Sequence, residues 1–546
     1  MKKGKLIAVI LCLGMLFALV AACGGDDANV SSGPEATGGT SATGGGPGGG
    51  TDGPSGGANA GRDSLSIAVI GDNGSLNWAA ISGDFQAMNH LVMEPMWTVR
   101  LLPGEGHELE FILAESVDVL EDNGETYWII NLRQGVTFSN GNPFTASDVI
   151  FTINQAREVG IFGISRTQEI DIDRTSIIDE YTIEMRFLRY RFNQFEIYSD
   201  LLIYDEESFD LDRAAVDPIG TGPYRVTEYV VNSHVFMERR DDYWGEPAAI
   251  RQFQFRTVAE PAQIVNGLAT NNLDIAIIPN LDVDYVSGLS GINVLERYAG
   301  RWISVGMNPT VGHLFHDVEA RYAVIHAINS QAIIDVVYNG QGEIMKGPVS
   351  RACWDFHPDF ENRHDAYTIG YDLDLAKMYA ERSGIAGSEV RIITGGQQAH
   401  VQIAEMLQMM LREIGLNLTI HNYDAAGFGD ARNDSSMWEM TIEGGWTPTL
   451  VYMAGIVDVS RMNNVYSQED AWPECEWWNS DAPLVYSILD PAARHERALY
   501  MLDVWARNSI VHSIVETAQF YALPEGLTNV YFGQHNFPMY RYLRFE

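Results

Sequence analysis

Basic residues are scarce in this sequence. Its 546 residues carry 35 Lys plus Arg against 73 Asp plus Glu, a net charge of −38. Too few cations are present to neutralise a run of phosphates, which excludes nucleic acid as a partner. Adsorption to anionic lipid is disfavoured on the same ground. Beyond that, the negative surplus implies only solubility. Cysteine is scarcer still, limited to Cys12, Cys23, Cys353 and Cys475. Catalytic signatures are missing: there is no HExxH pair, no P-loop and no dinucleotide glycine pattern opening a helix, and the one G-x-S-x-G string, Gly53 to Gly57, lies in a glycine-rich run without the strand-to-helix pattern of a nucleophile elbow. Carboxylates are so abundant that some pair always resembles a glycosidase dyad, and spacing along a chain cannot test their separation. His313 and His316, with His357 and His364, follow the irregular spacing of surface and cap residues. No metal and no cofactor is expected.

What is present points to a large folded body behind an export signal. Apolar residues make up 46% of the chain, with 12 Trp and 24 Tyr, which excludes general disorder, and the length allows more than one core. Lys2, Lys3 and Lys5 precede a short apolar run, Leu6 to Val20, the pattern of a secretory signal. Gly24 to Arg62 has 15 glycines in 39 residues and almost no large apolar side chain. Such a segment has nothing to bury and reads as a tether, spanning roughly 35 Å as a random coil.

The stretch from Asp217 to Asp274 organises the body. Gly220, Gly222 and Pro223 make a stiff turn into the apolar run Tyr224 to Val231. Asn232-Ser233 turns the chain, and His234 to Arg239 returns as the second strand of a hairpin. Phe253 to Val258 alternates as another strand. Pro261 opens a short helix that stops at Asn271-Asn272, and Leu273 to Ile278 reads as a strand buried on both faces. A second block, Leu113 to Ala156, places Thr145 three residues before Asp148, a capping-box start for the helix Val149 to Arg157. Elsewhere Ser64 to Ile70 alternates as a strand, and Phe85 to Trp97 reads as a helix. Ala399 to Ile414 carries one apolar helical face closed by Gly415.

In their order and wording these landmarks resemble one family. They are Asp217-Pro218-Ile219-Gly220-Thr221-Gly222-Pro223-Tyr224, Arg240 to Gly245, Asn271 to Ala276, Leu132 to Phe138 and Asn140 to Val149. The family is that of the solute-binding lipoproteins of ABC importers, in the peptide-and-nickel group that includes oligopeptide- and dipeptide-binding proteins. The resemblance covers nearly everything from Ser64 to Leu523. It implies an α/β, two-lobed, periplasmic-binding-protein-like (type II) fold with an extra small domain inserted in the first lobe. The implied divisions are a signal peptide over 1–22, a lipidated Cys23 with its tether over 23–62, and first-lobe segments over 63–96 and 217–295. The inserted domain then covers 97–216, the second lobe 296–512, and a return to the first lobe 513–546. Leu19-Val20-Ala21-Ala22-Cys23 resembles a lipobox, which implies anchoring to the outer face of the cytoplasmic membrane.

The function so implied is capture of a peptide by a monomer and its delivery to the permease of an ABC transporter. In peptide-binding relatives a tryptophan-containing loop carries an acid for the peptide's amine. The matching segment, Gly444-Gly445-Trp446-Thr447-Pro448-Thr449, has the tryptophan, but the nearest acids are Glu443 before it and Asp458 well after it. That departure keeps an oligosaccharide or other small solute open, because aromatic stacking needs no counter-ion. A surface glycosidase and a sensor co-receptor are the remaining alternatives. Trp446 is the first ligand-contact candidate, followed by Asn308, Trp302, Gln398, Thr449 and Trp78. Cys353 and Cys475 both fall in the implied second lobe, and an exported context permits a disulfide between them.

Overall fold

The computed structural model describes residues 62–80, 84–102, 106–361, 369–446, 451–459, 464–533 and 535–546. The central stretch forms as its pattern requires. Strands Tyr224–Val230, His234–Arg239 and Gln252–Thr257 pair in sequence, and Ser64–Val69 adds to the last of them in parallel. Asn232 takes a left-handed φ of 58° in the hairpin turn, and Asn271, at 56°, follows the helix Pro261–Ala269. The chain then runs beside the first strand, where Ile275 bridges Ile67 in parallel.

Two long strands run through the middle of the molecule. Ile292–Met307 and Val511–Pro524 pair antiparallel over most of their length in a seven-stranded sheet. At one end Val511–Pro524 also pairs Ala276–Ile278. Toward the other, Ile292–Met307 pairs Met440–Trp446, which lies beside Glu389–Thr394 and then Asn417–Asn422. Between Tyr298 and Arg301 the register slips, and Gly300 there has a φ of 68°. A β-bulge of this kind bends the strand that carries the extra residues and increases its twist, so Ile292–Met307 changes direction at Ala299 and Gly300.

Apolar burial divides accordingly. One cluster gathers Leu65, Trp97, Trp128, Tyr224, Phe253 and Phe532, so residues from 97–216 share a core with the first lobe. A smaller one under the same lobe packs Leu268, Val286 and Phe520. On the far side of the bulge, Val305, Val324, Leu407 and Ile442 form an aliphatic core. Trp302, Trp438, Tyr452, Trp478 and Trp505 form an aromatic one.

Three expectations change. The first helix is Asp84–Val92, and Trp97 opens the strand Trp97–Leu102 instead of closing the helix. Pro95 explains the break, since proline disfavours helical geometry in the residue before it. Trp97 then packs its ring on Trp128 and Phe195, at 5.6 and 5.4 Å between centroids. The capping box forms, with the Thr145 N–H donating to the Asp148 carboxylate at 2.8 Å, but the helix it opens is longer, Ala146–Val159. Lastly, Cys353 and Cys475 are not bridged and are both buried as thiols. The Cys475 Sγ–H is turned toward the Gln468 carbonyl at 3.2 Å, within the tryptophan cluster.

Candidate functional site

Where the two lobes meet, side chains from distant segments interlock. The Phe192 N–H donates to the Tyr486 carbonyl at 2.9 Å. The Arg494 guanidinium lies 4.1 Å from the centre of the Phe192 ring, and that of Arg191 lies 4.9 Å from the Tyr486 ring. His107 places its ring 4.4 Å from Trp354 and its Nε2 3.5 Å from the Glu196 carboxylate. His107 and Glu196 come from the first side of the seam, and Trp354 and Arg494 from the second.

Two acids share this seam. Burial pushes the Glu196 carboxyl up to about 7, and the negative charge of Asp355 adds to the rise. Burial likewise raises Asp355 to about 6, against the lowering effect of the Tyr452 and Met453 N–H groups that donate to it. Burial lowers the pKa of His107, so the imidazole beside Glu196 is a weakened cation. Asp355 therefore pins the start of the helix Tyr452–Val459, just beyond the segment that follows Trp446. The carboxylate at the N-terminus of this helix is thus supplied from another part of the chain.

The end of the Met440–Trp446 strand makes the second half of the site. Trp302 pairs Gly445 in register and lays its indole across it. A Cβ on Gly445 would fall 2.1 Å from the Trp302 ring, so only glycine fits there. Trp302 is 2% exposed, and its Nε1–H has no acceptor among the described residues. A buried donor without an acceptor is uncommon and asks for a functional or packing explanation. His400 packs near Gly444 with its pKa lowered to about 4 by burial, so it stays neutral, and Gln398 stands exposed two residues earlier.

The sequence candidates thus separate. Trp302 and the backbone of Trp446 come together at this sheet end, and Gln398 is exposed at the start of the helix Gln398–Arg412, whose His400 packs near Gly444. Asn308 lies apart and is fully buried. Its amide donates to the Ser435 and Trp438 carbonyls at 2.8 and 2.9 Å, and its oxygen accepts from Thr310 at 2.6 Å. It ties a turn together. Trp78 is buried in the first lobe, stacked 5.7 Å from Tyr204. Thr449 lies outside the described residues, as do His364 and Cys23. The seam residues Glu196, Asp355, Arg494 and Tyr486 escaped the sequence reading, because no local pattern marks residues that meet only through the fold. A small pocket lies elsewhere, among His90, Asp200, His535 and Arg541.

Residues 108–458 match the bacterial extracellular solute-binding proteins, family 5. The chain belongs to that family. Among its relatives is the dipeptide-binding protein of Escherichia coli K12, 25% identical over 403 residues, which span 66% of this chain and 70% of the relative. The oligopeptide-binding protein AppA of Bacillus subtilis is 23% identical over 333 residues, 56% of this chain and 60% of the relative. Among solved structures, DppA of Helicobacter pylori in complex with the peptide STSA superposes with a TM-score of 0.69 at 19% identity, covering 88% of this chain and 98% of its own. NikA of Brucella suis in complex with Fe(III)-EDTA gives 0.75 at 18%, covering 88% and 100%. The fold of this family member is accordingly the two-lobed type II periplasmic-binding-protein fold. Family members are extracellular binding proteins of ABC transporters rather than enzymes. No helix among the described residues is long and apolar enough to cross a membrane.

Proposed function

We propose that this family member captures a peptide outside the cytoplasmic membrane and presents it to the permease of an ABC transporter, without chemical turnover. The family match across 108–458 carries the reading, and the names of the relatives, dipeptide-binding and oligopeptide-binding, supply the cargo class. The lobes close on the ligand by bending at the Ala299–Gly300 bulge, and ligand favours the closed state by its higher affinity for it. Trp302, Gln398, Trp446 and Thr449 contact the ligand. Lipidation of Cys23 holds a monomer to the outer face of the membrane; Cys23 and residues 24–61 lie outside the described residues. The lobe divisions follow the sequence assignment: 63–96, 217–295 and 513–546 in the first lobe, 97–216 inserted, and 296–512 in the second.

A neutral oligosaccharide is the second reading, favoured by the absence of an acid just after Trp446. One experiment separates the two: thermal denaturation of the purified protein with pooled short peptides and, separately, pooled oligosaccharides. Ligand at about a hundred times its dissociation constant adds roughly 2.7 kcal/mol. A shift with peptides is expected. A shift with sugars alone overturns the peptide reading and leaves the solute-capture reading standing.

A further inference from the structure

We infer that the second lobe carries a binding site for a divalent transition-metal cation, formed by His357, Asp359 and His495. The three side chains come from two separate elements, the turn Pro358–Phe360 with the residue that precedes it, and the helix Pro491–Asn508. The His357 Nδ1 and the His495 Nε2 each lie 3.4 Å from the same oxygen, Asp359 Oδ2. The two imidazole rings are 4.6 Å apart and tilted 74° to one another, and all three donor atoms fall within 4.8 Å of one another. An ion held tetrahedrally by bonds of about 2.1 Å needs donors about 3.4 Å apart. Both imidazole-to-carboxylate separations match that spacing, and the Asp359 N–H, which donates to the His357 Nδ1 at 3.2 Å, is the one contact a bound ion displaces.

The surroundings hold this geometry from behind. Phe360 is 1% exposed and stacks on His495 at 5.2 Å and on Tyr452 at 4.9 Å, which fixes the turn and the imidazole against the aromatic core. Asp490 caps the helix through the Ala493 N–H at 2.7 Å, which sets the first turn that carries His495. The donors themselves face water, with side-chain exposures of 52, 58 and 30% for His357, Asp359 and His495. An ion can enter without rearrangement of the core.

Two imidazoles and one carboxylate suit Zn²⁺ and its transition-metal neighbours, whereas Mg²⁺ and Ca²⁺ require oxygen donors. Three protein ligands leave a fourth position for water or a donor from outside. The site lies two residues beyond Asp355 and one beyond Arg494, so an ion there would clamp together two elements that build the second lobe's side of the seam. The inference does not depend on what the cleft binds.

The test uses the full exported chain, freed of any histidine tag and of metal, titrated calorimetrically with ZnCl₂ and separately with MgCl₂. One Zn²⁺ per chain is expected, with no heat from Mg²⁺. The variant His357→Ala/His495→Ala is expected to lose about 100-fold or more in Zn²⁺ affinity, and Asp359→Asn about 10-fold. Co²⁺ added to the unsubstituted protein should give the visible bands of a four-coordinate centre, so the result does not rest on the variants alone. No stoichiometric Zn²⁺ binding, or equal binding by the double-histidine variant, overturns the inference.

Discussion

In the first lobe, Arg541 donates to Glu94 at 2.7 Å and to the Tyr243 hydroxyl at 2.8 Å, while Tyr243 and Trp244 donate to the same carboxylate at 2.8 and 3.0 Å. At the seam, Glu196 sits beside a second acid, Asp355, and an imidazole whose charge burial disfavours. Both regions bury carboxylates, yet they treat them oppositely. Burial alone would lower the Arg541 pKa, but Glu94, Tyr243 and Tyr542 raise it above its ordinary value. At Glu196 burial outweighs every compensating contact, and the acid ends near 7. A carboxylate surrounded by donors locks its neighbours in one arrangement. One whose burial is incompletely compensated makes its surroundings sensitive to pH and to whatever enters.

Breaking the saturated site gives the largest expected effect. The Glu94 side chain is fully buried, and Arg541→Met strands its charge, which costs about 3–5 kcal/mol. Urea denaturation near pH 7 measures it. The double substitution Glu94→Gln/Arg541→Met should recover part of the loss, because no uncompensated charge then remains. A cost below about 1 kcal/mol for Arg541→Met would mean that the two regions are not opposites.

Glu196→Gln sharpens the other side of the comparison. The folded carboxyl lies near 7 against 4.5 for the unconstrained group. Its stabilising contribution is therefore fully present below about pH 4.5 and is lost as pH rises through about 7. At one pKa unit per 1.36 kcal/mol the swing is about 3 kcal/mol at most. Urea midpoints should accordingly fall across this window in the unsubstituted protein and fall much less in Glu196→Gln. The remaining slope belongs to Asp355, raised from 3.8 to about 6. Parallel pH profiles for the two proteins would remove Glu196 as its source.

The contrast also marks what a sequence can carry. The strands at 224–230, 234–239 and 252–257 were legible because alternation and turn residues are local signals, and the capping box at Thr145 and Asp148 is readable over three residues. Trp97 misled because an amphipathic helix pattern runs on past Pro95 into a strand whose inward face is equally apolar. Asn308 and Trp78 have the chemistry of ligand contacts, and only tertiary hydrogen bonding and stacking show that they serve the core. Glu196, Asp355, His107 and Arg494 are unremarkable in their own segments. Their joint meaning arises where 107, 196, 355 and 494 converge. The C-terminal residues looked least informative, yet Phe532 pairs Leu101 and Arg541 closes the first-lobe network.

Opening the seam requires the chain to bend, and the smallest predicted effect tests where. Gly300 holds a φ of 68° within the register slip between the two long strands. A Cβ in left-handed backbone costs about 1–2 kcal/mol, so Gly300→Ala should lower stability by that amount in urea. If the bulge is also the bending point, the same substitution should reduce the fall in radius of gyration that small-angle scattering records when ligand is added. A stability cost without a change in compaction would leave Gly300 as a static kink and move the hinge elsewhere along the two strands.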